Sequence, residues 1–293
     1  MTHGIQDFGG DWTQDKLMRL EKYLSAYTQI LTKYPYRIAY IDAFAGTGYR
    51  EQKQDYAFAS ELFDDILEEE SQRFLVGSAY IALKTEPRFN KYIFIEKDPR
   101  KNTELGKLKD QFSHLKDDIK IVQQDANQYI QSLCLNSNWD SCRAVLFLDP
   151  FGMQVEWETI KAIAHTQAID LWLLFPLGVG VNRMLKRDGK IDDGWRNKLN
   201  KIFGEADWYD AFYEKKREDD LLGTHEYIEK IANFDRIGQY FVRRLETIFS
   251  GVSPKPLALL NSRNNPLFLL CFAAGNPIGA KTAVKIANHI LEH

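Results

Sequence analysis

Four acidic residues lie where apolar segments of the sequence end, and their positions could bring four carboxylates together. They are Asp42, Glu96, Asp125 and Asp149. In an open α/β sheet the carboxyl ends of parallel strands share one edge, and ligands bind in the crevice outside it. One acid at such a position is commonly a solvated strand end. Four in succession favour a shared binding pocket.

A glycine-rich turn follows the first of these acids. Residues 37–50 read RIAYIDAFAGTGYR, in which an apolar, β-branched run is closed by Gly46 and Gly48. Glycine permits a tight bend and lets a cofactor approach the backbone closely. The turn therefore predicts a nucleotide-type cofactor pocket. The acid directly before it, Asp42, suits a cationic amino-acid group better than a pyrophosphate, which favours S-adenosylmethionine as the cofactor.

The second and third acids suit the nucleoside part of such a cofactor. Glu96 is expected to accept hydrogen bonds from both ribose hydroxyls, and Asp125, with Ala126 beside it, to contact the adenine. An NAD site is the main alternative, but it requires a third spaced glycine and a ribose acid about 20 residues further on. Here Glu51 and Gln52 follow the turn, and Glu96 comes much later because a segment is inserted. A P-loop is excluded, since no Gly-Lys-Ser/Thr follows.

The tripeptide Asp149, Pro150 and Phe151, after the fourth predicted strand, is the predicted reaction centre. A sulfonium is already a good leaving group, so a methyltransferase chiefly aligns the nucleophile in line with the methyl group. A carboxylate and a backbone carbonyl can accept the hydrogens of a ring amino group, and an aromatic side chain can stack on the ring. The alternative is a loop at the edge of the cofactor site without a chemical role.

A run of basic residues follows the fifth predicted strand and is a candidate surface for a polyanionic substrate such as RNA or DNA. It is interleaved with Trp195, and its members are Arg183, Lys186, Arg187, Lys190, Arg196, Lys198 and Lys201. Three aspartates dilute the run, and a solvated helix face is the commoner explanation of such a pattern. The predicted substrate contacts are Asn182, Arg183, Lys186 and Arg187.

The segments that must hold these residues alternate between strand and helix patterns. Five apolar strand candidates occupy residues 37–41, 91–96, 119–122, 144–148 and 170–175. Such alternation predicts an α/β protein with a doubly wound, mostly parallel, Rossmann-like sheet that is covered by helices on both faces. Two further apolar runs, at 257–260 and 267–272, flank a turn-rich link and predict an antiparallel hairpin at the C-terminus.

The chain is expected to divide into a main α/β domain and an insertion. The main domain comprises residues 1–181 and 234–291, with an N-terminal helix at 12–33 and a segment at 51–76 that could serve as a lid. Residues 182–233 are charged and rich in aromatic residues without a strand signal. They predict a helical insertion for recognition of a substrate or partner.

Composition bounds the class of protein and its location. The 293 residues are 44% hydrophobic and 27% charged with a formal net charge of -3, so no global field attracts nucleic acid and a local patch is needed. The cysteines, Cys134, Cys142 and Cys271, are scattered, and neither they nor the histidines show metal-ligand spacing. No apolar run approaches the roughly 18 residues of a membrane span. We expect a cytoplasmic protein without a metal or membrane contact.

Four segments in order, IDAFAGTG, FIEKD, QQDAN and FLDPFGMQVEW, resemble the motifs of class I S-adenosylmethionine-dependent methyltransferases. The chain resembles more closely the three-Cys-motif partner family (TcmP). That resemblance also involves WTQDKLMRLEKYLSAYTQIL, LWLLFPLGVGVNRML and FLLCFAAGNPIGAKTAVKIA, and it covers nearly the whole chain apart from the insertion.

The resemblance implies a function and a set of donor-site residues. These residues are Asp42, Phe44, Gly46 and Gly48, with Glu96 on the ribose and Asp125 near the adenine. The Asp-Pro-Phe tripeptide resembles the Asp-Pro-Pro-Tyr signature of amino-group methyltransferases and departs from it at Phe151. The family also implies a separate partner with three clustered cysteines, similar to radical-SAM iron–sulfur proteins. The expected activity is methyl transfer to an amino group of a nucleic-acid base, and the alternative is a non-catalytic donor-binding module of that partner.

Overall fold

The structure is a computed structural model that describes residues 10–43, 77–150, 152–204, 207–220, 223–261 and 263–293. The segment at 51–76, predicted as a lid, lies outside these ranges. The strands of the described residues are numbered in chain order. They are β1 (Arg37–Ala43), β2 (Lys91–Ile95), β3 (Ile119–Val122), β4 (Cys142–Leu148), β5 (Ile169–Phe175), β6 (Tyr213–Asp220), β7 (Gly223–Lys230), β8 (Gly251–Val252), β9 (Leu257–Leu260) and β10 (Pro266–Ala274).

The helices of the described residues alternate with the first five strands and are interspersed with the later ones. They are α1 (Gly10–Leu31), α2 (77–84), α3 (Pro99–Gly106), α4 (Leu108–Gln111), α5 (Ala126–Asn136), α6 (Trp157–His165), α7 (Asn182–Met184), α8 (Asp193–Phe203), α9 (Trp208–Phe212), α10 (Phe234–Glu246) and α11 (Ala280–Glu292). A 3-10 turn at Ser113–Leu115 precedes β3, and a π-helical turn at Leu177–Val181 follows β5.

The main sheet has the strand order β3-β2-β1-β4-β5-β10-β8, and β9 also pairs with β10. The first five strands are parallel, and β10 runs antiparallel to β5 and to β9. The prediction of a doubly wound, mostly parallel, Rossmann-like sheet with an antiparallel C-terminal hairpin is therefore confirmed. The strand order reverses between β1 and β4, and in such sheets this switch point opens a crevice at the carboxyl ends of the strands.

Both faces of the sheet are buried, which explains why its strands are continuous apolar runs in the sequence. All seven residues of β5 are buried. Successive side chains of a strand point to opposite faces, so Leu171 and Leu173 join one hydrophobic cluster while Trp172 and Leu174 join the other. Helix α1 packs on the second cluster through Leu20 and other apolar residues at helical spacing.

The prediction of a purely helical insertion at 182–233 is wrong for residues 213–220 and 223–230, which are strands. There β6 and β7 form an antiparallel ribbon that runs in register from the Tyr213–Lys230 pair to the Asp220–Gly223 pair. The ribbon is a separate two-stranded sheet, so neither strand needs an apolar alternation. Its Glu and Lys residues have good intrinsic helix propensity, whereas cross-strand charge pairs such as Lys216 with Glu229 stabilise the ribbon. Helices α8 and α9 agree with the helical prediction.

Candidate functional site

Three of the four predicted acids lie together at the carboxyl edge of three adjacent strands. The last residue of β1, Ala43, is in register with the last residues of β2 and β4. Glu96 and Asp149 follow those strands directly, and Asp42 precedes Ala43. Asp42 and Glu96 are each 2% exposed, and Asp149 is 7% exposed. They are therefore buried carboxylates at the switch point of the sheet and not solvated strand ends.

Asp42 is held by two hydroxyl groups. Tyr40, two residues earlier and hence on the same face of β1, donates its hydroxyl to Asp42 Oδ2 over 2.9 Å. Ser78, in α2, donates its Oγ to the same oxygen over 2.5 Å. Burial raises the pKa of Asp42 to about 7, while these two hydrogen bonds oppose the rise. The carboxyl group is therefore poised to gain or lose its proton near neutral pH.

Asp149 forms a buried ion pair with a lysine of the N-terminal helix. Lys16 Nζ lies 2.9 Å from Asp149 Oδ2, and the two side chains are 2% and 9% exposed. The loop between β4 and α6, which begins at Asp149, is called the reaction loop below. The main-chain N–H of Asp149 donates to the carbonyl of Ala43 over 3.4 Å, which ties the start of this loop to β1. Lys16 was not among the predicted site residues, because 133 positions separate it from its partner and α1 carries no motif that marks it.

Glu96 has one satisfied and one unsatisfied carboxylate oxygen. Its Oε1 accepts the backbone N–H of Asp98 over 2.6 Å. Its Oε2 is buried and has no hydrogen-bond partner among the described residues. Burial raises the pKa of Glu96 to about 7, and the Asp98 N–H opposes the rise. Leaving a buried acceptor unpaired costs about 1–3 kcal/mol, and more when the group is charged. The oxygen thus suits a hydroxyl donor supplied by a ligand.

Asp125 has a local structural role at the start of α5. It is the N-cap of that helix, and its Oδ1 accepts the N–H of Gln128 over 3.1 Å. The side chain is half-buried, and the next residue, Ala126, is buried. Asp125 follows β3 and so lies on the same sheet edge as the other acids. Its cap employs one oxygen only, and the predicted contact of this pair with adenine stays a prediction.

Asn127 is a buried polar residue that was not among the predicted site residues. Its amide donates to the carbonyl of Gln154 over 2.9 Å, and its Oδ1 accepts the N–H of Glu156 over 3.1 Å. The hydroxyl of Thr159 donates to the same Oδ1 over 2.8 Å. These bonds fasten the loop after Asp149 to α5. No local pattern in the sequence marks Asn127, because its partners lie 27 to 32 positions further along the chain.

The structure describes only some residues of the predicted reaction centre and of the predicted donor site around the glycine turn. Pro150 is buried directly after Asp149. Four predicted site residues lie outside the described ranges, namely Phe44, Gly46, Gly48 and Phe151. Their contribution to a donor or substrate site stays a prediction.

The predicted substrate contacts begin just after β5, the strand beside β4. Arg183, Lys186 and Arg187 are exposed. The Asn182 side chain is engaged inside the protein, because Lys230 Nζ donates to its Oδ1 over 2.7 Å. The π-helical turn before Asn182 packs on the reaction loop, so closely that a Cβ at Gly180 would meet the Met153 sulfur at 2.8 Å. Three cations therefore stand in a segment joined to the loop after Asp149.

Two broader features concern metals and membranes. Within the described ranges, no group of three or more His, Cys, Asp or Glu residues is arranged to hold a metal ion. None of the helices in those ranges combines the length and apolar character that a bilayer crossing requires.

Comparison with known proteins yields weak structural likenesses. No protein-family model matches the chain, and no curated protein sequence matches it significantly. A Legionella pneumophila protein of the DUF519 family model is 14% identical with a TM-score of 0.46, covering 93% of this chain and 90% of that one. An O-methyltransferase from Bacillus cereus in complex with SAH is 9% identical with a TM-score of 0.31, covering 76% and 91%.

A spermidine synthase from Thermotoga maritima is 12% identical with a TM-score of 0.25, covering 94% of this chain and 75% of its own. At these identities and TM-scores the likenesses assign neither a family nor an activity. Membership of the three-Cys-motif partner family stays a prediction from the sequence.

Proposed function

We propose that the chain is an S-adenosylmethionine-dependent methyltransferase that acts on an amino group of an RNA or DNA base. The observation that carries the proposal is the Oε2 of Glu96 at the switch point of the sheet, which is buried and has no hydrogen-bond partner in the described part of the chain. Hydroxyl groups of a ribose would satisfy this oxygen. Asp42, one strand away, supplies a second buried carboxylate for the cationic amino-acid end of the donor.

The donor, when bound, supplies a methyl group on a sulfonium that is already a good leaving group. The protein's own task is then to hold and aim the acceptor. Asp149 Oδ2 is paired with Lys16, so we assign Oδ1 to accept a hydrogen of the acceptor amino group. The carbonyl of Pro150 is assigned to the second hydrogen. Together the two acceptors would turn the nitrogen lone pair toward the methyl group.

The nucleic-acid acceptor is supported by charge near the reaction loop. The chain as a whole carries a formal charge of -3, so a polyanion needs a local cationic surface. Arg183, Lys186 and Arg187 offer exposed cations on the segment that packs on that loop. The involvement of a three-Cys-motif, radical-SAM-like protein as a partner, and a cytoplasmic location, rest on the sequence alone.

A second candidate function is a non-catalytic, donor-binding partner module of that three-Cys protein. The Lys16–Asp149 pair favours it, since an internal ammonium group already occupies one oxygen of the acid assigned to the acceptor. Transfer of a labelled methyl group from S-adenosylmethionine to RNA or DNA of a cognate lysate, with the partner present, separates the two. Transfer supports the enzyme. Donor binding without transfer supports the module.

The donor site is tested by calorimetric titration with S-adenosylhomocysteine. The wild-type protein is expected to bind it, and Glu96→Gln to bind it about 10- to 100-fold more weakly, because a hydrogen bond to a charged group is lost. Gln can still accept the N–H of Asp98, so the loop after β2 is retained. The matched control is Glu104→Gln, an exposed acid in α3 paired with Lys107, which should leave the affinity unchanged. Absence of binding by folded wild-type protein would refute the proposal.

A further inference from the structure

A cavity lies at the opposite edge of the sheet from the acids. Its polar residues include Arg143 and Asp170, the second residues of β4 and β5, so it opens near the amino ends of these strands. Residues of α1 and of the first turns of α11 complete it, and its volume is about 260 Å³. It is thus separate from the proposed donor site, at the other end of the strands.

Tyrosine rings form the walls of this cavity. Tyr23 and Tyr27 lie one helical turn apart in α1, with ring centroids separated by 6.0 Å. Tyr34 and Tyr36 follow the helix, with centroids 6.3 Å apart. The Arg143 guanidinium lies 4.0 Å from the centroid of the Tyr36 ring. Flat aromatic walls of this kind complement a planar ligand.

Two polar atoms of the residues that line the cavity have no hydrogen-bond partner in the described part of the chain. Tyr27 is only 5% exposed, and its buried hydroxyl makes no hydrogen bond within the described residues. Arg143 Nε is likewise buried and unpaired there. The guanidinium is nevertheless fixed, because its Nη1 donates to the carbonyls of Trp139 and Cys142 over 2.9 and 2.7 Å. Each unpaired group costs free energy that a ligand's polar edge would recover.

The formal charges in the cavity cancel. Asp170, 8% exposed, accepts the Tyr23 hydroxyl over 2.8 Å, and Arg143 supplies the opposite charge. Aromatic walls alone would also suit an organic cation, but the guanidinium already on Tyr36 opposes a second positive charge. A neutral ligand that can both donate and accept hydrogen bonds matches a carboxylate, a hydroxyl and an N–H better.

We propose that this cavity binds a small, uncharged, planar heteroaromatic molecule with a hydrogen-bond donor next to an acceptor, such as a lactam. Its mouth is apolar and open, since Tyr34 and Ile278 are 56% and 90% exposed. The donor edge of the molecule faces the Asp170 carboxylate, and its acceptor edge faces Tyr27 and Arg143. The proposal does not rest on the methyltransferase function, because it employs none of the residues assigned to the donor.

Titration with quinolin-2(1H)-one, a planar lactam, tests the proposal on the full chain by calorimetry or ligand-observed NMR. The wild-type protein is expected to bind it. Ala283→Phe, which fills the cavity, should abolish binding. Tyr27→Phe should weaken it about fivefold, as expected for a neutral hydrogen bond. Since the Tyr27 hydroxyl has no hydrogen-bond partner among the residues that the structure describes, this variant is expected to keep its fold, which circular dichroism verifies.

The controls are Tyr80→Phe, an exposed tyrosine of α2 outside the cavity, and the N-methyl derivative of the probe. Tyr80→Phe should bind as the wild type does, and the N-methyl compound should bind more weakly because it lacks the donor. No binding up to the solubility limit of the probe would overturn the proposal. So would equal binding by Ala283→Phe, tighter binding of tetramethylammonium than of the lactam, or displacement of the lactam by S-adenosylhomocysteine.

Discussion

At the scale of single residues, the acids at the carboxyl edge of the sheet are held in different ways. Asp42 accepts two hydroxyl hydrogen bonds, Asp149 is paired with Lys16, and Glu96 has one oxygen without a partner in the described chain. Burial raises the pKa of Asp42 and of Glu96 to about 7. A ligand that stabilises either carboxylate must therefore compete with a proton near neutral pH.

This competition predicts the pH dependence of donor binding. Ribose hydroxyls on Glu96 and a cationic amino group near Asp42 both favour the ionised acids, so affinity for S-adenosylhomocysteine should rise as the pH increases through about 7. Calorimetry one pH unit below and one above that value measures the change. Glu96→Gln should show a shallower rise, because one of the two titrating groups is gone. Affinity that is constant or falls over this range would contradict the assignment.

The same shifts affect the unliganded protein in the opposite sense. A carboxyl group whose folded pKa lies above its unfolded value binds its proton more tightly in the folded state. Its contribution to the free energy of unfolding is therefore largest at low pH and is lost as the pH rises from about 4 to about 7. Donor binding would return part of that loss at neutral pH, which couples occupancy of the site to stability.

At the scale of elements, α1 connects the two edges of the sheet. It carries Lys16 to Asp149 at the carboxyl edge and Tyr27 to the cavity at the amino edge. With 22 residues it is about 33 Å long, enough to span the sheet. Arg19 donates a hydrogen bond to the carbonyl of Ile290, which fastens the helix to α11. Docking of α1 thus completes both sites.

Removing one member of the Lys16–Asp149 pair should weaken that docking. Lys16→Met leaves a buried carboxylate without its cation and is expected to lower the free energy of unfolding by about 3 kcal/mol. Asp149→Asn removes the charge that pairs with the buried ammonium of Lys16 and should also lower the free energy of unfolding. The double variant should recover much of the loss, since neither buried charge remains. Urea unfolding of the four proteins measures the coupling. Additive losses would show that the pair does not contribute to docking.

The elements differ in how far sequence alone could predict them. The strand β5 was predictable because it is buried on both faces and therefore reads as an unbroken apolar run. The ribbon of β6 and β7 was not, because it forms its own two-stranded sheet and carries no alternation of apolar residues.

In the site, Asp42, Glu96 and Asp149 were predictable because each stands at the end of a strand pattern. Lys16 and Asn127 were not, since their roles arise from contacts across 133 and 29 positions in the chain. Long-range contacts of this kind have no local signature. The strand ends in the sequence therefore located the edge of the site, whereas the partners that orient its side chains could be identified only from the structure.

At the scale of the whole molecule, the two ends of the parallel strands carry different kinds of polar group. The carboxyl edge carries buried acids with exposed cations on the adjoining segment, and the amino edge carries an aromatic cavity whose charges cancel. A formal net charge of -3 gives the protein no general attraction for nucleic acid. If RNA is the acceptor, its phosphates must bind the cations near the reaction loop and not those elsewhere on the surface.

Charge reversal at matched positions tests that requirement. Lys186→Glu with Arg187→Glu should weaken binding of a mixed-sequence single-stranded RNA, because two phosphate contacts beside the reaction loop are lost. Lys281→Glu with Lys285→Glu, on exposed positions of α11, changes the net charge equally and should leave binding nearly unchanged. The plot of log affinity against log salt concentration should become about 1.4 units shallower for the first pair only, at about 0.7 per phosphate. Equal losses for both pairs would mean that RNA responds only to total charge, and the basic segment would then lose its assignment as the substrate surface.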